Sequence, residues 1–387
     1  MGNVRECAGA AARAGRLAAC AVAIATFVCA CGDESLPGDA ARDTRGDAVG
    51  MEDGGNIDDA SDAVASDSQG DSVATDSTGG DVRMGDAGAD AMADVVARDG
   101  AWVQIVAPPN GTRVTNPAAF RIAAGGVTSV RMVADEWPMG APWNPATRDN
   151  LSYTFAGPMH DRQVRLLGLD RNGAERARDA ITVTAVGNGI VDMGTAVGDM
   201  YNTYYYLARE VDYPGTADTS LNDGTCMQLA RVTAAFSDSV CIEGSGILAD
   251  GRVINYSSSC SCGRACPTGG IVCYSILDGN RYPWGSGASS ALVPLRSWAV
   301  DRTFIPLGTI VYVARWDGVM IPVVDGIGGF VHDGCFRADD TGGAIRGNHF
   351  DFFAGTRSMW RALERIFPTR TTFAVQRGAG RCAYLMR

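Results

Sequence analysis

Apolar positions are distributed very unevenly along this chain. Residues 17–30 form one continuous apolar run of fourteen behind Arg5, Arg13 and Arg16, too short to cross a bilayer and of the length of a signal-peptide core. From Gly32 to about Gly100 the sequence is Asp, Ala, Gly, Ser and Thr with almost no aromatic residue. Such a segment buries too little apolar surface to offset its chain entropy, and predicts a disordered tether over 31–101. Short alternating or β-branched runs then appear at 103–106, 119–122, 127–133, 151–155, 163–167 and 181–186, punctuated by clusters such as Pro108-Pro109-Asn110-Gly111. That rhythm predicts an antiparallel, immunoglobulin-like β-sandwich over 102–186, read as a spacer. Beyond it, 199–206 and 310–313 read as strands and 246–254 as two strands around a turn. Leu229, Val232 and Phe236 have helical spacing within 226–236, and Met359, Trp360, Leu363 and Ile366 give an apolar face to a helix over 358–367.

Charge sharpens this division. The formal net charge is −11, yet residues 31–101 alone carry four Arg against eighteen acids, whereas 102–387 are nearly balanced with twenty-six Arg and twenty-five acids. All thirty-three basic residues are Arg. A near-neutral folded part with no basic stretch excludes nucleic acid as the partner. The Asp-rich segment contains no calcium-loop pattern and reads as a solvated spacer.

The apolar run at the N-terminus ends Val28-Cys29-Ala30-Cys31-Gly32, which resembles the bacterial lipobox. The resemblance implies a signal peptide over 1–30, export, and lipid attachment at Cys31. The expected placement is an outer-membrane lipoprotein, on the periplasmic face or at the cell surface, touching the membrane through its anchor. Glu6 excludes N-myristoylation at Gly2.

Beyond residue 31 the cysteines are Cys226, Cys241, Cys260, Cys262, Cys266, Cys273, Cys335 and Cys382. An even set confined to one exported domain predicts a disulfide framework, whose pairing the spacing leaves open. Only Cys260 to Cys273 has metal-like spacing, and without paired C-x₂-C motifs or a nearby His the expectation is no metal and no cofactor. His160, beside Asp161, reads as a surface ion-pair partner.

The candidate chemistry lies in 298–309 and 338–351. Asp340 ends an extended segment and enters the Gly-rich bend at Gly342 and Gly343, and Asp351 follows eleven residues later between Phe350 and Phe352. Flanking rings and a second carboxylate both raise a carboxyl pKa, the condition for a general acid at neutral pH. The bland reading of an Asp beside Gly, a turn cap, competes with this one.

The stretches A-V-D-x-x-x-I-P-L-G-T, with Asp301, and D-T-G-G-A-I-R-G-x-x-x-D, with Asp340 and Asp351, resemble the 3D domain. That family is named for three aspartates and shared by membrane-bound lytic transglycosylase A and a set of spore and cell-wall proteins. The resemblance is strong over about 296–355 and diffuse back to Met200 and on to Arg387. It implies a double-psi β-barrel over 196–387, with Asp351 as the catalytic acid/base, Asp340 tuning it and Asp301 in support. It also implies a peptidoglycan lytic transglycosylase that cleaves between N-acetylmuramic acid and N-acetylglucosamine to a 1,6-anhydro product, acting as a monomer on glycan strands. Arg346 stands where lysine is commoner, and the extra residues between the motifs, with Asp325, His332, Asp333 and Cys335, are expected to reshape or cover the groove. Gly342, Gly343, Arg346, Trp298, Tyr204, Tyr206 and Trp284 are the candidate substrate-binding residues, with Trp360 the weakest aromatic candidate. The alternatives are a non-catalytic, expansin-like wall-binding protein and a hydrolase using a second Asp. Asp340-Thr341-Gly342 also matches the aspartic-protease tripeptide, but that chemistry needs two such loops and the chain has one.

Overall fold

A computed structural model describes residues 100–386. The expected signal peptide, the expected lipid site at Cys31 and nearly all of the expected tether lie outside the described residues. What is described is mostly β-structure in three packed parts.

The first part is two facing sheets. A three-stranded sheet of Trp102–Ala107, Ala118–Gly125 and Asn150–Tyr153 opposes a five-stranded one of Thr112–Val114, Glu175–Ala185, His160–Leu169, Ser129–Ala134 and Trp137–Pro138. Strand side chains alternate between faces, so Val103, Ile105, Phe120, Ile122, Val164 and Leu166 meet in one apolar core.

The third part is a closed six-stranded barrel, as the resemblance implies. Its strands are β1 (Thr195–Tyr206), β2 (Ser297–Val300), β3 (Ile310–Ile321), β4 (Phe330–Asp340), β5 (His349–Gly355) and β6 (Thr372–Arg377), in the order β2-β4-β3-β6-β1-β5. Pairs β1–β5 and β2–β4 are parallel and the rest antiparallel. Met200, Trp298, Val311, Phe336, Phe350, Phe352 and Phe373 fill the interior. Inserted between β1 and β2 is the second part, a four-stranded sheet with a ten-residue helix, α1 (Ala234–Glu243). Thr233 caps α1 through the Phe236 N–H and Gly244 ends it at φ 80°. The helical spacing read over 226–236 does not make a helix there. Gln228–Val232 is a strand of a hairpin, and the cap postpones the helix to Ala234. A second helix, α2 (Arg357–Ile366), packs Met359 and Leu363 onto the barrel, close to its expected bounds.

Four disulfides join Cys226 to Cys262, Cys241 to Cys266, Cys260 to Cys273 and Cys335 to Cys382. Three staple the inserted part, and the fourth ties β4 to the C-terminal turn.

The sandwich, read from sequence as a spacer, is sealed onto the barrel. Arg162 bridges Asp135 at 2.8 Å and Asp333 at 2.9 Å, and Arg296 reaches Asp333 at 2.6 Å. The extra residues between the motifs extend β3 and β4 into this junction. Gly328 N–H donates to Glu136 at 2.8 Å, and the Gly326 carbonyl accepts from Arg165 and Arg178. Burial and the Arg296 charge push His332 down to about 3, so it sits neutral in the junction. Asp325 faces Arg209 at 3.6 Å. His160 meets the Val331 carbonyl at 2.9 Å rather than an acid.

Candidate functional site

The site is a row across the barrel's outer face. Asp351 on β5 pairs with Ala299 on β2 and with Thr203 on β1, and pairing partners point to the same side. Asp340 joins the row only because β2 and β4 slip register between Trp298 and Ala299, pairing Ala299 with Asp340 in place of Asp339. A bulge re-aims a side chain in this way. Without it Asp340 would point into the barrel. Two strand spacings set the Asp340 and Asp351 Cα atoms about 9–10 Å apart, with the Ala299 methyl between them.

The two carboxyls differ in their partners. Asp340 accepts from Thr341 N–H at 2.8 Å, Ala288 N–H at 3.0 Å and Tyr205 O–H at 3.4 Å. Burial still raises it to about 6 against those bonds. Among the described residues Asp351 accepts only from Thr203 O–H, at 2.7 Å. Burial, with a further push from the Asp340 charge, lifts it to about 7. Asp351 is therefore the carboxyl raised further of the two, with the Asp340 charge adding to the rise. Its desolvation comes from its own face, where Tyr205, Ala299, Ile345 and Phe353 cluster. Phe350 and Phe352, expected to cover it, point into the barrel.

Asp301 is a brace. It accepts from Thr303 N–H at 2.9 Å, Thr303 O–H at 2.6 Å and Gly347 N–H at 2.9 Å, tying the end of β2 to the loop after β4. Those bonds hold it down at about 2, so at neutral pH it has no proton to give. In the same loop a Cβ on Gly342 would lie 2.7 Å from Ile345, whereas Gly343 faces open space. Arg346 is spent partly on its own loop, donating to the Ile345 carbonyl at 2.7 Å and that of Gly342 at 3.2 Å.

The aromatic expectations fare unevenly. Trp298 is fully buried, with ring centroids 3.8 Å from Phe350 and 4.8 Å from Phe336, so its face is closed to a sugar. Tyr204 turns to the same interior and donates to the Phe367 carbonyl at 2.6 Å. Tyr206 is buried against Trp360 at 5.8 Å, which occupies both rings. Trp284 remains partly buried beside the apolar cluster on the Asp351 face. It also lines a separate cavity of about 680 Å³ between the three parts.

Sequence reasoning missed four residues. Thr203 and Tyr205 lie in a run of tyrosines whose alternation shows a strand but no partner. Ala288 acts through its backbone. Glu243, at the end of α1, accepts from Tyr206 N–H at 2.9 Å and is raised to about 8 by burial, with Asp351 adding to the push. None has a sequence signal, since each is brought to the site by register or by the inserted part.

Residues 296–363 match the 3D domain family. No curated protein matches the chain. Among solved structures, the chain is similar to Escherichia coli MltA with bound chitohexaose, at 17% identity and TM-score 0.32, over 56% of this chain and 75% of that one. A membrane-bound lytic murein transglycosylase from Agrobacterium tumefaciens is 11% identical with TM-score 0.33, over 59% and 79%. Fibronectin(III)-like modules of Clostridium thermocellum CbhA cover 22% of this chain and 96% of their own, at 13% identity and TM-score 0.20.

Proposed function

We propose that the Asp351 face of the barrel cleaves the glycan strands of peptidoglycan as a lytic transglycosylase. The observation that carries this reading is one proton-bearing carboxyl, Asp351 at about 7, set in a 3D domain beside a second carboxyl, Asp340, whose oxygens are already engaged. Protonated Asp351 gives its proton to the glycosidic oxygen between N-acetylmuramic acid and N-acetylglucosamine. The resulting carboxylate takes the proton of the muramyl C6 hydroxyl as that oxygen attacks C1, giving a 1,6-anhydro sugar. One group acts in turn as acid and base, whereas a glycosidase that uses water works with two free carboxyls. Three donors on Asp340 leave it poorly placed to activate water, which favours the lyase over the hydrolase.

The test is mass spectrometry of products from purified peptidoglycan incubated with the full chain and with Asp351→Asn. Anhydromuropeptides from the wild type alone support the proposal. Reducing-end muropeptides would replace it with a hydrolase, and no soluble product with glycan still bound would replace it with a non-catalytic wall-binding protein. As part of the same proposal, Cys31 carries the lipid that holds the protein at the outer membrane. Loss of palmitate labelling in Cys31→Ser is the expected outcome.

A further inference from the structure

The cavity of about 680 Å³ between the sandwich, the inserted part and the barrel is within the range of roughly 300–1,000 Å³ that ligand sites occupy. Its walls are fitted together. The inserted turn at Gly279 and Asn280 meets the sandwich turn at Asn172 and Gly173 closely. A Cβ on Gly173 would lie 2.5 Å from the Asn280 nitrogen, and one on Gly279 2.6 Å from the Asn172 carbonyl oxygen. Asn280 closes this seam, donating to the Arg171 carbonyl at 3.2 Å and accepting from Arg131.

The lining has two characters. Leu167, Leu169, Val253 and Leu292 give it apolar surface, and among the described residues five arginines and two glutamates also line it. Arg165 is paired with Glu136 and Arg178 with Glu175, while Arg209 is matched at 2.8 Å by Asp212, which stands outside the lining. Arg281 is exposed. Its guanidinium lies over the Tyr282 ring, 5.1 Å from the centroid, with no carboxylate at ion-pair distance among the described residues. Arg165, by contrast, is 5% exposed, and its Nε has no hydrogen-bond partner. A buried donor left bare costs free energy that an acceptor would recover.

Apolar walls with a surplus of guanidinium suit an anion with an apolar body. Glu175, whose side chain stays 36% exposed, adds a place for an amine, which a simple acyl anion leaves unused. A short peptide with carboxylates, an amine and small apolar side chains uses every part of the lining. Leu207, Ile247, Trp284 and Leu292 belong both to this cavity and to the apolar cluster of the Asp351 face, so the two spaces share a wall. We propose that the cavity is a subsite for the peptide stems that branch from peptidoglycan glycan strands, with Arg281 at its exposed edge taking a stem carboxylate. The assignment deepens the glycosidic reading and rests on it for the identity of the peptide.

The probe is the stem peptide freed from purified peptidoglycan by an amidase, titrated calorimetrically into the full chain, with dodecanoate as the acyl control. The wild type is expected to bind the peptide at one site. Arg281→Glu, a change at an exposed side chain, should weaken that binding by about 10-fold. Leu167→Trp fills the cavity without altering its charges and should weaken binding at least as much. Thermal unfolding identifies which variants are folded. Absence of peptide binding in the wild type, or wild-type affinity in either folded variant, overturns the proposal. Binding of dodecanoate alone also overturns it and gives the cavity to an acyl ligand. The titration and the product assay fail separately. A wild type that binds the peptide yet releases no glycan product would sink the glycosidic reading and leave the subsite, whereas one that releases anhydromuropeptides yet ignores the peptide would sink the subsite alone.

Discussion

Two carboxylate clusters on this barrel start from the same physical penalty and end in opposite states. On the outer face, burial raises Asp351 to about 7 and Asp340 to about 6, and their direct hydrogen-bond partners are hydroxyls and backbone N–H groups. At the junction with the sandwich, burial also pushes Asp333 up, but Arg296 and Arg162 outweigh it and hold the carboxyl well below its usual range. Tyr384 O–H adds a bond at 2.8 Å and Cys335 N–H one at 3.2 Å. Burial alone therefore does not mark a working acid. The presence or absence of a cation against the carboxyl separates the cluster that holds protons near neutral pH from the one that glues two parts of the molecule together.

The largest effect expected from breaking this contrast is at Asp351. In the proposed mechanism Asp351→Asn removes the proton given to the glycosidic oxygen, and release of anhydromuropeptides from peptidoglycan should fall by about 10²–10⁴-fold. Folding should not suffer. The folded state favours the protonated form of Asp351, so that group helps folding fully below about pH 4, its unfolded pKa, and the help is lost as pH rises through 7. Relative to wild type, the Asn variant should therefore gain stability on going from pH 5 to pH 8, by about 3 kcal/mol. Thermal unfolding of both proteins at the two pH values reads this directly, and an Asn variant that weakens at pH 8 would contradict the raised pKa.

Asp333→Asn should do the reverse. It leaves Arg162 and Arg296 buried with one negative charge fewer, which costs about 3–5 kcal/mol. Here the sign of the pH dependence inverts. A depressed carboxyl stabilises fully above about pH 4 and loses that contribution as pH falls toward its folded value, so the wild type should lose its advantage over Asp333→Asn on acidification. Denaturant unfolding at pH 7 and at pH 3 checks both statements. The pH–rate profile of surviving enzyme should match the wild type, because the junction does not contact Asp351.

How much of this contrast was legible beforehand depends on what carried it. The sandwich strands and the α2 face showed in apolar periodicity, since burial on one side of a strand or helix writes itself into every second or every third to fourth residue. Asp301, Asp340 and Asp351 stood out through their motif. Roles for the three were read with it, but the geometry behind those roles was not legible, because it depends on a one-residue register slip at Ala299 and on a turn bond from Gly347. Trp298 and Tyr204 looked like sugar platforms because an aromatic residue reads alike whether its strand faces outward or inward. The junction was wholly unforeseen. Asp135, Arg162, Arg296 and Asp333 are far apart in sequence, and in a chain whose basic residues are all Arg no single arginine signals its partner.

The smallest expected effect tests how finely Asp340 is tuned. The Tyr205 hydroxyl donates to Asp340 at 3.4 Å, long for an O–H···O bond, and Tyr205 is itself pushed upward by burial and by the Asp340 charge, so it stays a neutral donor at every working pH. Tyr205→Phe keeps the ring beside Phe353, whose centroid lies 5.0 Å away, and removes only that bond. Asp340 then ionises slightly less readily, its charge on Asp351 weakens near pH 6, and the acid limb of the rate profile should move by about 0.3 pH unit. The rate at the optimum should fall about 2-fold. A loss approaching that of Asp351→Asn would mean that Tyr205 touches the glycan itself, and the row would then have to include it as a reacting group.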